Sequence, residues 1–108
     1  MNLDKEAFLV LVEHKITDSF LLLKMGGEID EKALTELLEL FEKSTRIFKN
    51  DALIPKKLLA DMHLVSVGIE CENYHFKNLF LEDISKKVMY CFNLMISGIS
   101  IDDRPYKL

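Results

Sequence analysis

The chain has 108 residues, of which 49% are hydrophobic and 30% charged, and its 18 acidic and 14 basic side chains give a net charge of −4. This length fits one domain, since domains typically contain ~100–150 residues, and the apolar fraction excludes a disordered or low-complexity chain. The negative charge argues against a general electrostatic attachment to nucleic acid or to an anionic membrane.

The sequence carries no sign of secretion or membrane insertion. The first six residues include Asp4 and Glu6, where a signal peptide needs positive charge. Two cysteines, Cys71 and Cys91, do not make the dense disulfide framework of a small secreted protein. The longest stretch without an acid or base, residues 88–101, is shorter than the ~20 residues that span a bilayer. We therefore expect a cytoplasmic protein without a membrane partner.

Hydrophobic spacing predicts four helices, at about residues 3–24, 31–49, 55–74 and 81–97. In the first helix, one apolar face is expected to pack inward, and Gly26-Gly27 should end the helix. The residues of that face are Phe8, Val12, Ile16, Ser19 and Leu23.

The second helix has the most regular pattern. Asp30 is its expected N-cap. Its charged outer face should carry Glu39–Lys43 and Glu42–Arg46 ion pairs one turn apart. The inner face is expected to contain Ala33, Leu34, Leu37, Phe41, Ser44 and Phe48.

The third helix should begin with Pro55 in its first position, where a missing N–H costs nothing. Residues 64–71 also fit a strand, because apolar and polar side chains alternate there. We favour a helix because no turn signal separates this segment from the helical start before it. The fourth helix should open near Leu81 and end at Gly98, with a core stripe of Ile84, Val88, Cys91, Phe92 and Met95.

Four amphipathic helices with short connections predict an all-α fold, an antiparallel four-helix bundle formed by residues 1–98. Residues 99–108 would form a C-terminal tail in which Pro105 prevents further helix. This tail has the character of a short docking peptide anchored by Tyr106 and Leu108, although a frayed terminus is the ordinary outcome.

The first and third helices are apolar on more than one face, which requires cover on both sides. Either these helices fill the middle of a compact fold, or their extra stripes form a self-association surface and the protein is a homodimer. On the third helix the extra stripe leaves only a narrow polar wedge, which consists of Lys57, Asp61, Gly68 and Glu72. The candidate self-association residues are Val10, Leu21, Met25, Leu64, Val67 and Tyr74.

Candidate reactive groups are sparse. Cys71 and His75 lie one turn apart, and Cys91 with Glu72 or His63 would complete a zinc site, but no CxxC or HxxxH spacing occurs. The same Cys71 with either histidine is a conceivable thiol nucleophile, and no phosphate-binding loop is present. We expect no catalytic site, no metal and no cofactor.

Charge is uneven along the chain. Residues 28–42 contain six carboxylates against Lys32, whereas residues 43–57 are basic. The basic segment lacks the interleaved aromatic residues of a nucleic-acid surface, so no nucleic-acid partner is expected. An acidic helix face instead favours docking of a basic protein partner, and the expected contact residues are Glu31, Glu36, Glu39 and Glu42.

In general type, a small acidic helical protein of this kind resembles bacterial inhibitor proteins, including the immunity proteins that neutralise toxins, although no motif carries the resemblance. The resemblance implies a non-enzymatic inhibitor that blocks a basic toxin or nuclease. The alternatives are a homodimeric structural or regulatory module and a small thiol- or zinc-dependent enzyme centred on Cys71.

Overall fold

The computed structural model describes residues 4–106, and within that range the chain forms four helices and no strand, as predicted. The first helix is continuous but has three parts: α1 (Lys5–Ile16), a π-helical turn (Thr17–Leu21) and α2 (Leu22–Gly26). The other three helices are α3 (Glu31–Ile47), α4 (Lys56–Phe76) and α5 (Leu79–Ser97). Among these described helices, none combines the length and the apolarity needed to cross a membrane.

Side-chain caps and glycines set the helix ends. The Asp30 carboxylate accepts a hydrogen bond from the Ala33 N–H at 3.0 Å, which confirms the predicted N-cap of α3. Gly27 and Gly98 adopt left-handed conformations, with φ of 67° and 71°, directly after α2 and α5. Both glycine stops were therefore placed correctly by the sequence.

Two predicted helix starts are displaced. Pro55 has an extended ψ of 124° and lies at the N-cap, so α4 begins at Lys56 and not at Pro55. α5 begins two residues before Leu81, because the side chain of Asn78 caps it by accepting from the Leu81 N–H at 3.1 Å. The strand alternative for residues 64–71 is wrong, since the whole segment lies inside α4.

The helices enclose one apolar core. The predicted inner face of α3 is buried throughout, and Phe8, Val12 and Leu23 of the first helix are buried with it. The π-helical turn adds one residue to a helical turn, so both Ser19 and Phe20 point into the core. The Ser19 hydroxyl is satisfied locally, because it donates to the Lys15 carbonyl at 2.6 Å.

The first helix lies antiparallel to α3, and α4 lies antiparallel to α5. Lys15 of α1 pairs with Glu36 of α3, and Lys5 reaches Asp51 beyond the far end of α3. α4 and α5 are held by two reciprocal hydrogen bonds in which Ser66 and Ser85 each donate to the other's carbonyl, at 2.8 and 2.9 Å. These buried serines are small enough to let the two helices approach closely.

Part of the polar wedge of α4 lies against the first helix. The Phe20 ring covers Gly68 so closely that a Cβ on Gly68 would overlap Phe20 Cζ. At the second residue of α4, Lys57 Nζ lies 3.2 Å from Glu13 Oε1 and 3.4 Å from Asp61 Oδ1. Gly68 therefore contacts the first helix directly, and Lys57 links Asp61 to it through Glu13.

We predict that Gly68→Ala destabilises the fold by about 1–3 kcal/mol, since the added methyl group must displace a buried aromatic ring. Gly26→Ala is the matched control, because nothing lies within 4 Å of the position of its Cβ. Urea unfolding of both variants measures the difference. Adding Phe20→Leu to Gly68→Ala should recover part of the loss; equal stability of the two single variants would contradict the prediction.

Candidate protein-binding surfaces

The four predicted docking carboxylates of α3 do not form one free face. Glu31 and Glu39 are exposed and make no ion pair with any described residue. The Glu36 carboxylate accepts from Lys15 Nζ at 3.3 Å, and Glu42 Oε2 accepts from the Tyr106 hydroxyl at 2.6 Å. Two of the four carboxylates are thus available in full and two are engaged within the protein.

Neither predicted ion pair along α3 forms. Arg46 Nε donates to Asp102 Oδ2 at 2.9 Å, and this hydrogen bond raises the pKa of Arg46. Glu42 is turned to Tyr106, and Glu39 is not paired with Lys43. The expected Glu42–Arg46 pair is wrong because tail residues, distant in sequence, bind both of its members. The expected Glu39–Lys43 pair is also absent, and both of its side chains are exposed.

The described part of the tail, up to Tyr106, packs on α3 and α5. Ile101 is buried, and its N–H donates to the Thr45 hydroxyl at 2.9 Å. Lys49 Nζ lies 2.8 Å from Asp103 Oδ2, and the hydrogen bond that Lys49 donates lowers the pKa of Asp103 to about 2. Leu108, the second predicted tail anchor, lies outside the described residues.

Cys91 lies beneath Tyr106, with its Sγ 3.5 Å from the tyrosine hydroxyl. Burial raises the pKa of Cys91 to about 11, so the thiol stays protonated at neutral pH and is a poor nucleophile and metal ligand. Cys71, by contrast, is exposed. Between residues 4 and 106, no three His, Cys, Asp or Glu side chains are placed to hold a metal ion, so the zinc alternative of Cys71, His75 and Cys91 gains no support.

The candidate self-association residues divide into two groups. Leu64, Val67 and Tyr74 lie on one outward face of α4 and are 54%, 40% and 84% exposed. Ala60 and Cys71 continue the same face by their spacing, so no charged side chain interrupts it. We call these five residues the α4 stripe.

The group on the first helix is less continuous. Val10 is 50% exposed, and Met25, at the end of α2, is 84% exposed. Leu21 is half-buried and packs against the core. These three residues therefore do not form a second stripe comparable with that of α4.

A groove that the sequence analysis missed runs between α1 and the first half of α4. Its apolar lining is Leu9, Val10, Val12 and Leu58, its volume is about 250 Å³, and its rim carries Glu6, Glu13, Lys57 and Asp61. The spacing of Glu6 and Glu13, seven residues apart on one side of α1, was the available signal. The sequence does not show that α4 lies against this side of α1, so Glu6 and Glu13 could not be assigned to a groove.

We predict that iodoacetamide labels Cys71 rapidly at pH 8 while Cys91 is protected, because Cys91 is buried and its pKa is about 11. Tyr106→Ala should speed the labelling of Cys91 by uncovering it, whereas Tyr74→Ala, which removes an exposed ring, should leave it slow. Mass spectrometry of each cysteine over time gives the two rates. Equal rates for both cysteines in the unmodified sequence would show that the tail does not cover Cys91.

No known family model, characterised protein or solved structure matches this chain. The comparisons therefore neither support nor contradict the resemblance in type to bacterial inhibitors.

Proposed function

We propose that the protein is a non-enzymatic binding domain that acts by contact with a basic protein, in the manner of a small bacterial inhibitor of the immunity-protein type. The observation that carries this proposal is the pair of exposed, unengaged carboxylates Glu31 and Glu39 on α3, a helix fixed to the core along its full inner face. Glu28, just before the helix, is also exposed and extends the acidic surface.

Rigidity makes these carboxylates suited to docking. α3 is capped by Asp30 and has seven buried residues, so its backbone is already fixed before binding. Little backbone conformational entropy is therefore lost when its outer side chains contact a partner. Charges at the rim of an interface mainly speed encounter with a partner of opposite charge. A basic toxin or nuclease is the class of partner that such a surface favours.

The engaged carboxylates contribute differently. Tyr106 is a neutral donor, so its hydrogen bond to Glu42 adds no positive charge to the surface. Lys15, in contrast, places an ammonium group beside Glu36 and offsets its charge. Within the predicted set, Glu31 and Glu39 should therefore dominate, Glu42 should add to the field, and Glu36 should matter least.

We predict that Glu31→Lys/Glu39→Lys slows association with a basic partner about tenfold at low salt. The control is Asp18→Lys/Glu70→Lys, which changes the net charge equally at two exposed carboxylates away from α3. The partner would be captured from the native host with the unmodified protein and identified by mass spectrometry, and its association rate would be measured against ionic strength. An acidic partner, a rate insensitive to salt, or an equal loss in the control would refute the proposal.

A second candidate function, a homodimeric module, is favoured by the α4 stripe. Ala60 and Tyr74 lie seven residues on either side of Val67. If two α4 helices pair antiparallel about Val67, the large Tyr74 of one copy meets the small Ala60 of the other, and this match of sizes would allow close packing.

For this candidate we predict a dimer in light scattering at micromolar concentration, converted to monomer by Leu64→Glu/Val67→Glu, because two carboxylates would be buried unpaired in the interface. Thr35→Glu, on the exposed side of α3, should leave the dimer intact. A monomer at all concentrations would exclude self-association through the α4 stripe.

A further inference from the structure

The groove between α1 and α4 joins an apolar floor to a charged rim. Val12 and Leu58 are fully buried beneath it, Leu9 is half-buried, and Val10 is half-exposed at its edge. Water in such a groove finds few hydrogen-bond partners on the floor, so an apolar side chain that displaces it gains free energy.

The rim is acidic in balance. Glu6, Glu13 and Asp61 provide three carboxylates against the single ammonium group of Lys57. That ammonium is shared between Glu13 and Asp61, whose hydrogen bonds and charges hold it in place and raise the pKa of Lys57. Glu6 makes no ion pair with any residue in the described range and is free to meet a cation.

The size of the groove restricts what fills it. A volume of about 250 Å³ falls below the ~300–1,000 Å³ of sites that enclose small-molecule ligands. It suits one or two side chains, as in the central pocket of a protein interface where a single anchor residue contributes much of the binding energy. The apolar floor selects the anchor, and the acidic rim selects the residues beside it.

We infer that this groove is a docking site for one protein segment, in which a leucine- or phenylalanine-sized side chain enters between α1 and α4 and a neighbouring lysine or arginine pairs with Glu6. The inference rests on the proposed function for the positive charge of the partner, but it concerns a different surface from that of Glu31 and Glu39.

The test uses a short, capped helical peptide of leucine and lysine as the probe and follows backbone amide shifts of the full chain by NMR. We expect shifts at Leu9, Val10 and Leu58 that saturate with peptide concentration. A second peptide, with serine in place of leucine, should produce no saturable shift there. Shifts confined to the α4 stripe or to α3, or equal binding of the serine peptide, would overturn the inference.

Two matched variants locate the site. Val10→Lys adds a like charge at the edge of the groove and should weaken peptide binding about tenfold, whereas Val67→Lys changes a similarly exposed valine on the α4 stripe and should not. Glu6→Gln should weaken binding less than Val10→Lys does. A larger loss with Val67→Lys than with Val10→Lys would disprove docking in the groove.

The same measurement separates this inference from the proposed function. Glu31→Lys/Glu39→Lys should leave peptide binding in the groove unchanged, because neither residue lines it. Weakened groove binding in that variant would mean that the probe responds to overall charge, and would refute the groove. Loss of partner association in the same variant, with groove binding intact, supports both proposals.

Discussion

The contact between the Phe20 ring and Gly68 sets how the first helix lies on α4. A ring this close to a backbone is possible only where the opposing residue lacks a side chain, and Gly68 is the one glycine within α4. The π-helical turn is what brings Phe20 to that position, since an uninterrupted α-helix with Ser19 inward would turn its neighbour partly aside. The first helix and α4 therefore approach closely at Phe20 and Gly68, whereas nearer their N-terminal ends the groove lined by Leu9 and Leu58 lies between them.

The tail is the second structural constraint, and it changes the surface of α3. Arg46 pairs with Asp102, and Glu42 accepts a hydrogen bond from Tyr106, so two charged residues in the C-terminal part of α3 have partners in the tail. Just beyond the helix, Lys49 pairs with Asp103. The tail residues of the described range make no ion pair with Glu31 or Glu39, which stay exposed. The tail therefore fastens the end of α3 and leaves these two carboxylates open.

Local signals account for the parts of the fold that the sequence predicted. Asp30 as a cap, the glycine stops at Gly27 and Gly98, and the regular inner face of α3 each depend on a few neighbouring residues. The π-helical turn was not predicted, although Thr17, Asp18 and Ser19 have low helix propensity, because such residues also occur in regular helices and do not specify where an extra residue is inserted. The fit of Phe20 against Gly68, which joins distant parts of the chain, gives no local signal. The same holds for the tail and for the groove, whose contacts join residues about half the chain apart. Two of the four expected docking carboxylates are engaged, since Lys15 pairs with Glu36 and Tyr106 donates to Glu42, and the spacing within α3 indicates neither contact. The resemblance to bacterial inhibitors stays a prediction.

The two proposed docking surfaces share α1 as a common border. Lys15 pairs with Glu36 of α3 on one flank of α1, and Glu13, two residues earlier, pairs with Lys57 of α4 on the other. Between these ion pairs lies the outward ridge of α1, with Val10 and His14 exposed. A partner laid across this ridge would meet the carboxylates of α3 on one side and the groove on the other. In such an arrangement the carboxylates govern how fast the partner arrives, and the apolar anchor in the groove governs how slowly it leaves, because long-range charge acts mainly on association and desolvated apolar contacts act mainly on dissociation. If both proposals hold, tight binding would come from two shallow features on one rigid frame.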